Sequence, residues 1–160
     1  MLSVTRDPLS VDGLTKQVEM SVRERGEGCG AVASFLGVVR ATHQGRAVTY
    51  LEYEAFDALA LDVFSQIQAE AAERWPGAAL GIVHRVGRLA IGEASIAIVA
   101  ATAHRAESFK VCRYAIERVK QIAPVWKHEF FADGEAWVEG AVADPTDEAA
   151  RIRALEIACA

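Results

Sequence analysis

In the stretch KQIAPVWKHE two lysines, Lys120 and Lys127, stand on either side of Pro124-Val125-Trp126, and Glu129 follows. Amines of this kind stabilise developing negative charge, and a partly desolvated one also exchanges protons near neutral pH. A carboxylate two residues along a strand shares the face of Lys127 and can hold its ammonium in place. By itself such a pair is usually a weak surface contact. Two further stations put cations at the ends of predicted elements. Arg40 closes FLGVVR, behind Gly37, a strand glycine of the kind that marks a bulge or a close backbone approach. His104 and Arg105 open a helix after ATA, where free backbone N–H groups and the helix dipole favour an anion. Any one cation at an element end is commonly a solvated surface residue. Four such stations together point to an anion site with electrostatic or acid–base chemistry.

Lys120 closes a predicted helix, AESFKVCRYAIERVKQIA, which Pro124 stops by forcing Ala123 extended. At roughly 100° per residue, Phe109, Cys112, Ile116 and Val119 form an apolar stripe, and Lys120 falls within about 20° of Phe109. Its amine then either snorkels to an edge or sits partly desolvated with a lowered pKa. In the strand that follows, Val125, Lys127, Glu129 and Phe131 alternate with Trp126, His128 and Phe130. Asp133-Gly134 predicts a hairpin turn into EAWVEG.

Upstream, SVDGLTKQVEMSVRER reads as a helix from near Ser10, CGAVASFLGVVR as a buried strand and ATHQGRA as a polar loop. VTYLEYEA alternates, with Tyr50, Glu52 and Glu54 opposite Leu51, Tyr53 and Ala55. FDALALDVFSQIQAEAAERW is a long amphipathic helix closed by Pro76-Gly77, and ALGIVHRVG and ASIAIVAATA are strands joined by the turn-rich RLAIGE. TDEAARIRALEIACA ends the chain as a short helix or a loose tail. Strands fall in pairs between helices, which predicts one α+β domain over residues 1–160, with a largely antiparallel sheet and helices on its faces.

The 160 residues carry a formal net charge of −5, which argues against general nucleic-acid binding. The charge is uneven. Residues 104–129 hold six Lys/Arg against three Glu, whereas residues 133–160 hold seven acids against two arginines. A cationic segment in an acidic chain suggests a focused anion site. MLSVTRDPLS lacks the apolar core of a leader, and the uncharged run in ASIAIVAATAH is too short to span a bilayer, so a cytoplasmic location is expected. The three cysteines are far apart with no CxxC, and the four histidines show no HxxxH or HExxH spacing. Neither a metal site nor a cofactor is expected.

FLGVVR, LEYEAF, HRVGRLAIGE, AHR, VKQIAPVWKHE and DGEAWVEG occur in the order found in the large, catalytic subunit of molybdopterin synthase, and the chain resembles that family over about residues 28–140. Residues 141–160 form a tail beyond the match. The resemblance implies an α/β hammerhead fold. It also implies a sulfurtransferase that converts cyclic pyranopterin monophosphate (precursor Z) to molybdopterin in molybdenum cofactor biosynthesis. Sulfur would arrive as a thiocarboxylate on the C-terminal Gly-Gly tail of a small ubiquitin-like subunit. The large subunits would form a central homodimer within a heterotetramer. Flanks of this size cannot hold a fused carrier domain, so the carrier is expected as a separate chain. Neither nucleic acid nor membrane is an expected partner.

By the same resemblance Lys120 and Lys127 match the two key lysines, and Arg40 a substrate-contacting arginine with Val38 and Val39 beside it. His104 and Arg105 match a pair near the substrate phosphate, and His128 and Glu129 follow Lys127 in the binding strand. The position of His128 is commonly Lys or Arg in the family. Lys127 is the expected stabiliser of oxyanion charge; Lys120 would serve as acid/base or position the tail carbonyl. Two other classes compete: a non-catalytic phosphometabolite-binding or scaffold module, and a cysteine-based sulfurtransferase. The second is disfavoured by the lack of a plausible reactive thiol.

Overall fold

The computed structural model describes every residue except 27, 139 and 142. Four helices and nine strands follow in the order β1 (Leu2–Thr5), α1 (Val11–Glu24), β2 (Ala31–Val38), β3 (Thr42–His43), β4 (Arg46–Ala55), α2 (Asp57–Arg74), β5 (Ala79–Arg85), β6 (Gly87–Ala90), β7 (Ala94–Thr102), α3 (Arg105–Ile122), β8 (Val125–Phe131), β9 (Gly134–Val138) and α4 (Glu148–Cys159). The strands form two sheets rather than one. One has the order β1-β5-β7-β2; the other runs β3-β4-β8-β9 with β6 also on β4. Among the described residues only the β1–β5 pairing is parallel. The α+β, largely antiparallel expectation therefore holds.

Strand β7 explains why the four-stranded sheet is covered on both faces. Its side chains alternate, and both rows are apolar. Ala97, Val99 and Ala101 pack against Leu14, Val18 and Val22 of α1. Ile96, Ile98 and Ala100 pack with α2 and α3 in the main core. Ser10 caps α1, its Oγ accepting from the Gly13 amide at 3.0 Å. The chain's end is a helix rather than a loose tail: Ala150, Ala154 and Ala158 of α4 are buried, and α4 lies along α3.

Two segments read as connections are short strands. ATHQGRA contains β3 and the start of β4, turned by Gln44 and Gly45 at φ 49° and 80°. Positive φ at both central residues is the two-residue hairpin geometry that matches strand twist. RLAIGE contributes β6, which pairs with β4 from Tyr50 to Tyr53. The β8–β9 hairpin forms as expected, but its turn is one residue earlier. Phe131 pairs with Gly134, leaving Ala132 and Asp133 at the tip, and Gly134 takes φ 142°.

Helix α3 ends at Ile122 with Ala123 extended, as Pro124 dictates. Its buried surface is wider than the stripe read from the sequence, because α2, α4 and the sheet all pack on it. Cys112, Ile116 and Val119 are buried, but Phe109 is 67% exposed. Phe109 and Lys120 do share one side of the helix, at the exposed margin of the apolar face. Lys120 is thus exposed rather than partly desolvated.

Candidate active site

The two sheets and the end of α3 enclose a cavity of about 710 Å³. Strand β2 supplies Val38, and Arg40 follows it. Lys120 comes from α3, Lys127 and Glu129 from β8, and Tyr53 from β4. The period-two pattern of β8 does what it predicts: Val125, Lys127 and Glu129 line the cavity. The turn from β2 into the site depends on Gly37. A Cβ there would lie 2.7 Å from Ile96 Cγ2, and the register with β7 shifts between Gly37 and Val38.

Lys127 is a held cation. Its Nζ lies 2.7 Å from Glu129 Oε1, and Glu129 is 3% exposed. The other carboxylate oxygen accepts from Nδ1 of His43. Burial alone would raise the Glu129 pKa, but the hydrogen bonds and charges of Lys127 and His43 outweigh it and hold the carboxyl below its ordinary 4.5. Glu129 therefore stays ionised at neutral pH. In contrast, Arg40 and Lys120 are exposed on the cavity wall and have no acidic partner among the described residues. Two unpaired cations beside one oriented ammonium suit an anionic substrate that develops further negative charge.

Four of the sequence-identified residues lie outside the cavity lining. Val39 is buried, its amide donating to the Glu93 carbonyl at 2.9 Å. His128 points to the opposite face of β8, where its ring stacks on Trp137 at 4.3 Å and tilts against Phe130 at 4.3 Å. His104 and Arg105 are exposed at the start of α3. Among the described residues no side chain caps that helix; the Glu107 and Ser108 amides donate to the His104 carbonyl at 3.2 and 3.4 Å, and those of Arg105 and Ala106 are the ones left for an anion. Conversely, His43, Tyr53 and His84 line the cavity and were not singled out. His84 had a legible signal. On β5 it continues the row of Leu80 and Ile82, a polar residue on the apolar face of a buried strand.

A second groove of about 380 Å³ shares Phe35, Ile116 and Lys120 with the cavity and continues past Ser34 to Phe109. Among the described residues, no three His, Cys, Asp or Glu side chains gather to hold a metal ion, and no helix is long and apolar enough to cross a membrane.

A family model described as MoaE protein matches residues 4–122. The chain belongs to the MoaE protein family. It is 42% identical over 135 residues to the molybdopterin synthase catalytic subunit of Bacillus subtilis, covering 84% of this chain and 82% of that one. It is 47% identical over 109 residues to the molybdopterin synthase catalytic subunit of Halalkalibacterium halodurans, covering 68% and 70%. Among solved structures, molybdopterin synthase from Staphylococcus aureus superposes with a TM-score of 0.78 at 34% identity, covering 85% of this chain and 95% of that one. The molybdopterin biosynthesis MoaE protein of Burkholderia ambifaria gives 0.73 at 32% identity, with 96% of each chain covered. The family resemblance carried by the motifs is therefore borne out. The family model extends further towards the N-terminus than those motifs, through α1, and stops at the end of α3.

Proposed function

We propose that this chain is the catalytic subunit of a molybdopterin synthase. In this reading it converts precursor Z to molybdopterin with sulfur from the thiocarboxylated C-terminal glycine of a small ubiquitin-like subunit. One observation carries the site assignment: in a MoaE-family chain, unpaired Arg40 and Lys120 converge with a Glu129-held Lys127 on one cavity. The substrate phosphate and the thiocarboxylate are both anions, so bringing them together requires cations to offset their repulsion. The thiocarboxylate sulfur attacks a side-chain carbon of the pterin, the C–S bond forming as a C–O bond at that carbon breaks, and negative charge builds on the departing oxygen. Lys127 stabilises that oxygen and supplies a proton. Lys120, at the junction of groove and cavity, positions the tail carbonyl or acts as acid/base. The groove past Phe109 is the entry path for the extended tail. Water then hydrolyses the acyl link to release the carrier, and a second round completes the dithiolene.

A carboxylate in the cavity favours this reading over a non-catalytic anion-binding module. Glu129 would weaken simple anion affinity, but it orients a proton donor. The cysteine-based alternative finds no support. Burial pushes the Cys112 pKa up to about 11, which keeps this thiol, on the wall of the second groove, protonated; among the described residues no cysteine lines the main cavity. The three thiols are free, in keeping with the cytoplasm as the proposed location. The expected result is that wild type converts precursor Z when given thiocarboxylated carrier, and that a folded variant with all three cysteines replaced by serine does so comparably. No conversion by wild type would refute the enzyme assignment, and selective loss in the cysteine-free variant would restore the persulfide route.

His104 and Arg105 keep a proposed role in phosphate binding. They lie outside this chain's own cavity, so in the proposed central homodimer they would serve the neighbouring copy's site. Lys127→Ala and Arg105→Ala chains, each impaired alone, should then regain activity when mixed and allowed to exchange subunits. Absence of complementation in verified mixed dimers would refute a contribution across the dimer.

A further inference from the structure

His84 reaches the cavity from the four-stranded sheet and is 5% exposed. Its ring meets Tyr53 edge-on, with centroids 5.2 Å apart, and Tyr53 is registered against Lys127 across β4 and β8. Nδ1 lies 2.9 Å from the Arg85 carbonyl oxygen, which can only accept, so Nδ1 carries the proton and donates. That leaves Nε2 as the ring nitrogen without a hydrogen-bond partner among the described residues. Arg40, Lys120 and Lys127 line the same cavity, and its carboxylate, Glu129, is engaged by Lys127 and His43. A further positive charge is disfavoured there. Burial acts in the same direction and lowers the His84 pKa to about 4, although the Arg85 hydrogen bond opposes it. At neutral pH the ring is neutral and Nε2 offers a lone pair.

The cavity therefore presents an acceptor, His84 Nε2, as well as its donor cations. Lysine and arginine side chains only donate, which suits phosphate and thiocarboxylate oxygens. They cannot accept from the N–H groups on the fused rings of a pterin. We propose that His84 recognises the pterin end of the substrate, Nε2 accepting a hydrogen bond from a ring or exocyclic N–H. This rests on precursor Z being the substrate, and it assigns a specificity role to a residue separate from the cationic set.

The test uses the complete synthase, with thiocarboxylated carrier in excess. His84→Phe keeps a ring against Tyr53 but removes the acceptor, leaving a donor of the bound substrate unpaired. KM for precursor Z should rise about tenfold or more. Inhibition by inorganic phosphate and affinity for the carrier should remain at wild-type levels, since both depend on the cations. His84→Gln, whose amide oxygen can accept near the Nε2 position, should recover much of the loss. Damage to the cavity as a whole would weaken phosphate and precursor Z together, and that result overturns the proposal. So does an unchanged KM in the folded Phe variant, or a fall in kcat alone.

If His84→Phe does not fold, nitrogen-15 NMR of the wild type decides. The Nε2 resonance should move upfield on saturation with precursor Z and stay in place with inorganic phosphate; an unmoved resonance at saturation with precursor Z overturns the proposal. Failure of the wild type to bind or convert precursor Z is a different outcome, and counts against the substrate assignment itself.

Discussion

Lys127→Arg is expected to keep the cavity's charge and still lose turnover by roughly a hundredfold or more, about 2.7 kcal/mol of transition-state stabilisation. The ammonium of Lys127 is held 2.7 Å from a Glu129 oxygen, on a carboxylate that His43 fixes from its other oxygen. A lysine so placed can put one N–H on a developing oxyanion and give up that proton. Guanidinium is wider and planar, and effectively never deprotonates, so it cannot donate the proton near neutral pH. It would also pair with Glu129 through two N–H groups and turn its fork away from the substrate. Single-turnover conversion of precursor Z with excess thiocarboxylated carrier measures the loss, and carrier binding by the same variant should be unchanged. Lys127→Ala is the companion, removing charge and proton together. If the arginine variant converts substrate nearly as well as wild type, Lys127 is a diffuse binding charge and the catalytic role assigned to it is wrong.

How much of this site the sequence carried depends on how local each signal was. The face shared by Lys127 and Glu129 follows from strand periodicity alone, and the helix end before Pro124 follows from backbone sterics. His43 could not be found that way. It reaches Glu129 because β3 folds back through a turn at Gln44-Gly45, a pair that lacks the usual asparagine or aspartate signal. His84 and Tyr53 meet only because the two sheets are brought together, and that is a matter of tertiary packing. Charge counting was the least reliable guide. Arg113 is paired with Glu117 one helical turn away, at 2.8 Å, and Arg118 is fully buried. Neither adds to the anion site, although both were counted in the cationic segment.

Arg118 has instead a structural role, and its removal should give the largest stability loss in the chain outside the apolar core. Its side chain is 0% exposed and grips Glu70 with two hydrogen bonds, Nε to Oε2 at 2.9 Å and Nη2 to Oε1 at 2.8 Å. The Tyr114 hydroxyl donates to the same carboxylate at 2.6 Å, and Gln66 Nε2 donates to it at 2.9 Å and to the Pro145 carbonyl at 2.8 Å. The network joins α2 and α3 to the segment leading into α4. That segment begins at the cavity wall, where Gly140 and Ala141 stand, and the Ala143 amide bonds the Gln121 carbonyl at 3.0 Å. Arg118→Ala leaves the buried Glu70 without its counter-charge, which should cost about 3–5 kcal/mol in urea unfolding. Replacing both partners, Arg118→Met with Glu70→Leu, should cost much less, because no lone charge stays buried. The pH dependence provides a second check. Burial would raise the Glu70 pKa, yet the bonds from Arg118, Tyr114 and Gln66 hold it below 4.5. The unfolded chain therefore binds the extra proton first. The stabilisation is complete above pH 4.5 and is lost as pH falls through the folded-state value. The double variant should lack that component of acid lability. A loss of less than about 1 kcal/mol for Arg118→Ala would class the pair with ordinary surface contacts and remove the case for a network that anchors the cavity wall.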